Sequence, residues 1–145
     1  MGERRILGID YGSKRIGLAL SDPLRIIAGA FRTVENGRRL WEELRAILDE
    51  QNIEFVVVGM PVNLKGLKGV KAEEVDGFIS KIKTHLNIEV VTWDERFTTS
   101  LAHQAQRMGG MKKKQRRESR ENIDAVAAAI MLQGFLDSTK KSLSC

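Results

Sequence analysis

Apolar residues recur along this chain in two rhythms, one of strands and one of helices. Ile6-Leu7-Gly8-Ile9 and Ile16-Gly17-Leu18-Ala19-Leu20 are short apolar runs joined by Asp10-Tyr11-Gly12-Ser13-Lys14-Arg15. They predict strands over 5–10 and 15–21 linked by a glycine-punctuated turn. Asp22-Pro23 signals another turn. Residues 24–33 then read as a third strand, closed by Glu35-Asn36-Gly37. Such short connections predict an antiparallel meander. Leu40, Trp41, Leu44, Ile47 and Leu48 fall on one face of a helix over 38–51. Trp41 belongs to that buried stripe rather than to a base-stacking platform. Phe55-Val56-Val57-Val58-Gly59 is a continuous run suited to a strand covered on both faces, as in the parallel part of an α/β sheet.

A second helix over 71–86 carries Val75, Phe78, Ile79 and Ile82, and a strand over 89–93 ends in Asp94-Glu95-Arg96. Thr98 or Thr99 would cap the helix that follows, whose apolar face is Leu101, Ala102, Ala105 and Met108. The last helix is expected over 122–136, with Asn122 as its N-cap and Asp124 in its first turn. Ala127, Ala128 and Met131 share a face with Asp124, and small alanines let a helix lie close to a sheet. Beyond it the tail, 138–145, is polar.

Length and composition add bounds. The 145 residues, 42% hydrophobic and 30% charged, suit one globular domain, taken as 1–137. No apolar run reaches the roughly 18 residues of a membrane span, and the first residues lead directly into a strand, so a cytoplasmic location is expected. The one cysteine, Cys145, excludes an internal disulfide framework and any cysteine-based zinc site. The formal charge of +5 suggests a polyanionic partner. Its clustering says more: Lys112-Lys113-Lys114-Gln115-Arg116-Arg117 puts five cations in six residues. We read 109–120 as an exposed basic loop that contacts a phosphate chain by releasing its counterions. The loop Leu64-Lys65-Gly66-Leu67-Lys68-Gly69 follows a strand's carboxyl end, where open α/β sheets bind ligands.

Three acidic positions carry candidate chemistry. Asp10 ends the first strand, Asp94 or Glu95 ends the last, and Asp124 opens the last helix. If the first strand is central and parallel to the last two, these acids converge at one rim of the sheet. Converging carboxylates repel, and Mg²⁺ or Mn²⁺ relieves that repulsion. Two such ions about 3.5–4 Å apart activate water and stabilise the leaving oxygen of a phosphodiester. His85 and His103 are poorly placed to serve, and no phosphate loop of the G-x-x-x-x-G-K-[ST] type occurs.

Four stretches in order resemble the YqgF/RuvX family. They are Leu7-Gly8-Ile9-Asp10-Tyr11-Gly12 with Arg15-Ile16-Gly17-Leu18-Ala19, then Val58-Gly59-Met60-Pro61-Val62-Asn63-Leu64-Lys65-Gly66, then Asp94-Glu95-Arg96-Phe97-Thr98-Thr99, then Ile123-Asp124-Ala125-Val126-Ala127-Ala128. Met60 and Phe97 stand where many relatives carry Leu, both apolar exchanges. The resemblance implies an α/β, RNase H-like domain with a mixed five-stranded sheet flanked by helices. It implies a nuclease with an acidic triad of Asp10, Glu95 and Asp124 holding Mg²⁺ or Mn²⁺. Glu95 is preferred to Asp94 because the two face opposite ways and the longer side chain reaches further. Lys14, Arg15, Lys65, Lys68, Lys112, Lys113, Lys114, Arg116 and Arg117 would hold the nucleic-acid backbone without reading its sequence.

The activity the resemblance favours is 5′-end maturation of pre-16S rRNA, with ribosomal precursors as associates and a monomer or weak dimer as the working form. Cleavage of branched DNA in the manner of a Holliday junction resolvase is the alternative. A non-catalytic nucleic-acid-binding protein is a third reading, which steep salt dependence without turnover would favour. A nucleotide-binding domain of the actin/Hsp70 type uses a similar D-x-G turn, but this chain is short for two lobes.

Overall fold

The computed structural model describes residues 4–61, 69–94 and 113–143, with side chains of the last helix described over 123–139. Strands β1 (Arg5–Asp10), β2 (Arg15–Ser21), β3 (Ala28–Glu35), β4 (Ile53–Met60) and β5 (Glu89–Asp94) form one sheet in the order β3-β2-β1-β4-β5. The first three strands make the expected antiparallel meander, and β4 and β5 run parallel to β1. The carboxyl ends of β1, β4 and β5 therefore lie along one rim.

Strand alternation divides the core. Leu7, Ile9, Leu18, Val56 and Val58 face helices α1 (Leu40–Glu50) and α2 (Val70–Leu86), packing with Leu44, Ile47, Val75 and Ile82. Ile6, Ala19 and Val57 face helix α3 (Lys113–Leu143), packing with Ala128, Met131, Leu132 and Leu136. Trp41 sits in the first layer as expected, its ring 4.6 Å from that of His85 and 5.7 Å from that of Phe78. Among the described residues no helix is long and apolar enough to cross a membrane.

Two elements differ from the sequence expectation. The third strand starts at Ala28 rather than at residue 24. Asp22 Oδ1 accepts the N–H groups of Ile26 and Ile27 at 2.7 and 2.8 Å, and Arg25 adopts φ 60°, so residues 22–27 form a turn closed by a side chain. The bond from Ile27 N–H, with that from Ile26, holds the Asp22 carboxyl below the ordinary carboxylate range. The last helix starts at Lys113 rather than at Asn122 and runs to Leu143. Asn122 is thus not an N-cap, Asp124 is not in the first turn, and residues 138–143 are helical. Lys, Arg, Gln and Glu favour helix intrinsically, and the sequence spaces Lys114 and Glu118, and Arg117 and Glu121, four apart. Missing apolar periodicity removes packing, not helicity.

Helix α3 lies unusually close to the sheet. A Cβ built on Gly17 would stand 2.0 Å from the Asp124 carbonyl oxygen, and one on Gly8 would stand 3.0 Å from the Leu132 Cβ. Gly17→Ala must therefore push the helix off β2, and we expect a loss of about 2–3 kcal/mol in urea unfolding, in the range of overpacked cores. Gly29→Ala, whose Cβ meets nothing within 4 Å, should be near neutral; equal effects at both positions would rule out the close approach. For Asp22 the sign follows from its lowered value: its contribution is present above the unfolded-state value and disappears as pH falls through the native one. Asp22→Ala should lower the urea midpoint at neutral pH, and the gap from wild type should narrow in acid.

Candidate active site at the carboxyl rim of the sheet

Asp10 is the last residue of β1 and pairs across the sheet with Gly17 of β2. Gly8 faces α3, so Asp10, two residues on, projects to the same side. Asp124 rests its backbone carbonyl on Gly17 from the helix above. Both acids thus border one glycine, Asp10 from the adjacent strand and Asp124 from α3. Of the face expected to bring Asp124 to the sheet, Ala128 and Met131 are buried, Ala127 is half-buried, and Ala125, not expected there, is buried beside Asp124.

Arg15 opens β2 and donates from Nε to Asp124 Oδ2 at 3.0 Å, with side-chain exposures of 37% and 27%. The turn that presents it is tight. A Cβ on Gly12 would stand 2.3 Å from the Arg15 carbonyl oxygen, so only glycine fits there. Asn36, just past β3, pins the turn twice: Nδ2 donates to the Gly12 carbonyl at 3.1 Å, and its backbone N–H donates to the Lys14 carbonyl at 3.0 Å.

A cleft of about 570 Å³ opens between this turn, Asp124, and Lys71 and Glu74 of α2. The first turn of α2 lies here because β4 delivers the chain to this rim. Lys14, Arg15 and Lys71 bring three positive charges against the two negative charges of Glu74 and Asp124. The amino end of α2, which has Gly69 as its cap and no side-chain capping bond, adds partial positive charge. The balance suits a phosphate that approaches a carboxylate-bearing wall.

Not every candidate residue comes together. On β5, Val91 and Trp93 pack on the α3 side, so Asp94 falls on the opposite face from Asp10. With β4 in between, β5 runs roughly 10 Å from β1. Glu95, Lys65, Lys68 and Lys112 lie outside the described residues. Lys113, Lys114, Arg116 and Arg117 occupy the first two turns of α3, on a helix and not on the loop expected for them. Among the described residues no three metal-ligating side chains cluster. The sequence reading missed Asn36, Lys71 and Glu74. Lys71 and Glu74 were signalled by the short 61–69 connection, which must return α2 to the rim where β4 ends. Asn36 gave only a generic turn signal.

The sheet order and the helices on its two faces define an RNase H-like fold. The solved structure of RuvC from T. thermophilus in complex with Holliday junction substrate shares this fold, with a TM-score of 0.54 and 15% identity over 94% of this chain and 96% of that one. The fowlpox virus resolvase in complex with Holliday junction DNA matches with a TM-score of 0.54 and 12% identity, covering 93% and 98%. The chain belongs to the RuvX family, whose model, described as Holliday junction resolvase, matches residues 4–138. A relative in Clostridium botulinum (strain Hall), named "Putative pre-16S rRNA nuclease", is 40% identical over 139 residues, 94% of this chain and 99% of its own. The relative of the same name in Clostridium acetobutylicum is 39% identical over 92% of this chain and 98% of its own. The family and fold expected from the four motifs are those found.

The Arg15–Asp124 pair is partly exposed, and such pairs add little to folding. A double-mutant cycle of Arg15→Gln and Asp124→Asn should give a coupling energy in urea unfolding of under about 1 kcal/mol. A larger value would make the pair a structural element.

Proposed function

We propose that this protein is a metal-dependent nuclease that hydrolyses phosphodiester bonds in structured nucleic acid, with the 5′ end of pre-16S rRNA as its leading substrate. One observation carries the reading: Gly17 brings Asp10 and Asp124, distant in sequence, to one place on the α3 face of the carboxyl rim. Neither strand pairing nor core packing requires two acids there. The donor set is all oxygen, which suits Mg²⁺ or Mn²⁺. Asp124 already accepts a cationic partner, the Arg15 guanidinium, so the rim tolerates positive charge in contact with its carboxylate. Asp10, Asp124 and Glu95 would hold the metal. Asp94 faces away from Asp10, which supports giving the third position to its neighbour in sequence.

When bound, two ions would supply an activated water and stabilise the leaving oxygen. The chain's own groups do the positioning. Lys14, Arg15 and Lys71 hold phosphate in the cleft, and Asn36 fixes the turn that presents two of them. Lys113, Lys114, Arg116 and Arg117 stand seven to eleven residues before Asp124 on α3, roughly 10–16 Å along the axis. Backbone on either side of the scissile bond thus finds cations, and none of these contacts reads base identity. Relatives named as pre-16S rRNA nucleases at 39–40% identity favour RNA over branched DNA.

The test is cleavage of a 5′-extended 16S precursor fragment and of a four-way DNA junction, each with Mn²⁺ and with Mg²⁺. Asp10→Asn and Asp124→Asn are each expected to reduce turnover by about a thousandfold or more, comparable to losing a group that acts in the transition state, with unfolding midpoints near wild type. Wild-type rates in either variant would remove the acid assignment. Preference for the junction would move the substrate to DNA. Salt-sensitive binding without turnover in any divalent metal would leave a binding protein.

A further inference from the structure

The Arg15–Asp124 contact sits where the proposed metal would bind, and its two partners differ in their freedom to move. Asp124 is fixed: its backbone is pressed against Gly17 and its helix is buried through Ala128 and Met131. Arg15 is fixed only at its backbone, by the Gly12 turn. Its side chain is a flexible stem, more exposed than its partner, on the wall of the cleft shared with Lys14 and Lys71. The guanidinium occupies Oδ2 of the carboxylate that a divalent cation would use, and two cations held by one carboxylate repel each other. The doubly charged ion also draws on Asp10, which borders the same glycine.

We propose that Arg15 is a resident counter-ion that neutralises Asp124 until a divalent cation takes its place, and that its release presents the guanidinium to a phosphate of the nucleic acid. Arg15 thereby couples the two ligands: metal binding frees the group that grips substrate, and substrate holds that group away from the metal's carboxylate. Linkage makes the coupling reciprocal. The inference rests on the metal site proposed above.

Mn²⁺ binding to the full chain, measured by calorimetry without nucleic acid, tests it. Arg15→Gln should tighten Asp124-dependent Mn²⁺ binding about tenfold, whereas Lys71→Gln, which removes the same charge from the same cleft, should change it less than about twofold. Equal tightening by both variants would reduce the effect to bulk charge and overturn the proposal, as would no change in Arg15→Gln. In wild type, the Arg15 Nε–H resonance should be hydrogen-bonded without metal and should move towards the solvent-exposed position on Mg²⁺ titration. This readout stands even if the variant folds poorly, and a resonance unmoved by saturating Mg²⁺ overturns the proposal. Metal binding that is intact in wild type but indifferent to Arg15 removes the counter-ion alone. Absence of Asp124-dependent binding in both proteins removes it together with the metal site.

Discussion

A helix pressed backbone to backbone on a sheet is the constraint from which the site follows. At Gly17 there is no room for even one carbon between β2 and the Asp124 carbonyl. Side chains between a helix and a sheet usually hold the two apart, and here one is missing on purpose. Because β2 pairs with β1 in a fixed register, the same contact that seats the helix also sets the Asp124 backbone one strand away from Asp10. Packing and chemistry are therefore one decision: a change that lifts α3 would carry the acid away from its neighbour before it unfolded anything.

The charges are graded around that contact. Asp10 ends β1 at the carboxyl rim, Lys14 and Arg15 stand at the turn between β1 and β2, and the cations of 113–117 precede Asp124 by seven to eleven residues on α3. The Asp124 carboxylate keeps 27% of its side chain exposed and takes Arg15 as a partner at 3.0 Å, a pairing that fixes position more than it adds stability. A single rim can thus hold opposite charges without collapsing them into one neutral cluster.

Much of this was legible in the residues, for reasons that can be named. The runs at 6–9, 16–20 and 55–59 are apolar enough to be strands and little else, and the β-branched run correctly marked a strand buried on both faces. Asp10 and Asp124 were legible because each sits at the end of a pattern, one at a strand tip and one in line with alanines. What was not legible depended on single hydrogen bonds or on intrinsic preference. The start of β3 was misplaced because the Asp22 carboxylate, not the apolar pattern of Leu24, Ile26 and Ile27, decides where the strand begins. The start of α3 was misplaced because a run of cations looks the same whether it is a loop or an unpacked helix. The pairing of Arg15 with Asp124 needed the register of β2 and the seat of α3 together, which no local pattern contains.

The length of α3 has a mechanical consequence. Its carboxyl half is gripped by Leu132 and Leu136, its middle touches Gly17, and its basic half extends beyond that contact. Gly17 then acts as a fulcrum. A bend of about 5° at that point would swing the Lys113 end through roughly 1.4 Å over its 16 Å arm, while Asp124 and the gripped half barely shift. The amino-terminal end of α3 can thus change its reach while the carboxylate keeps its station.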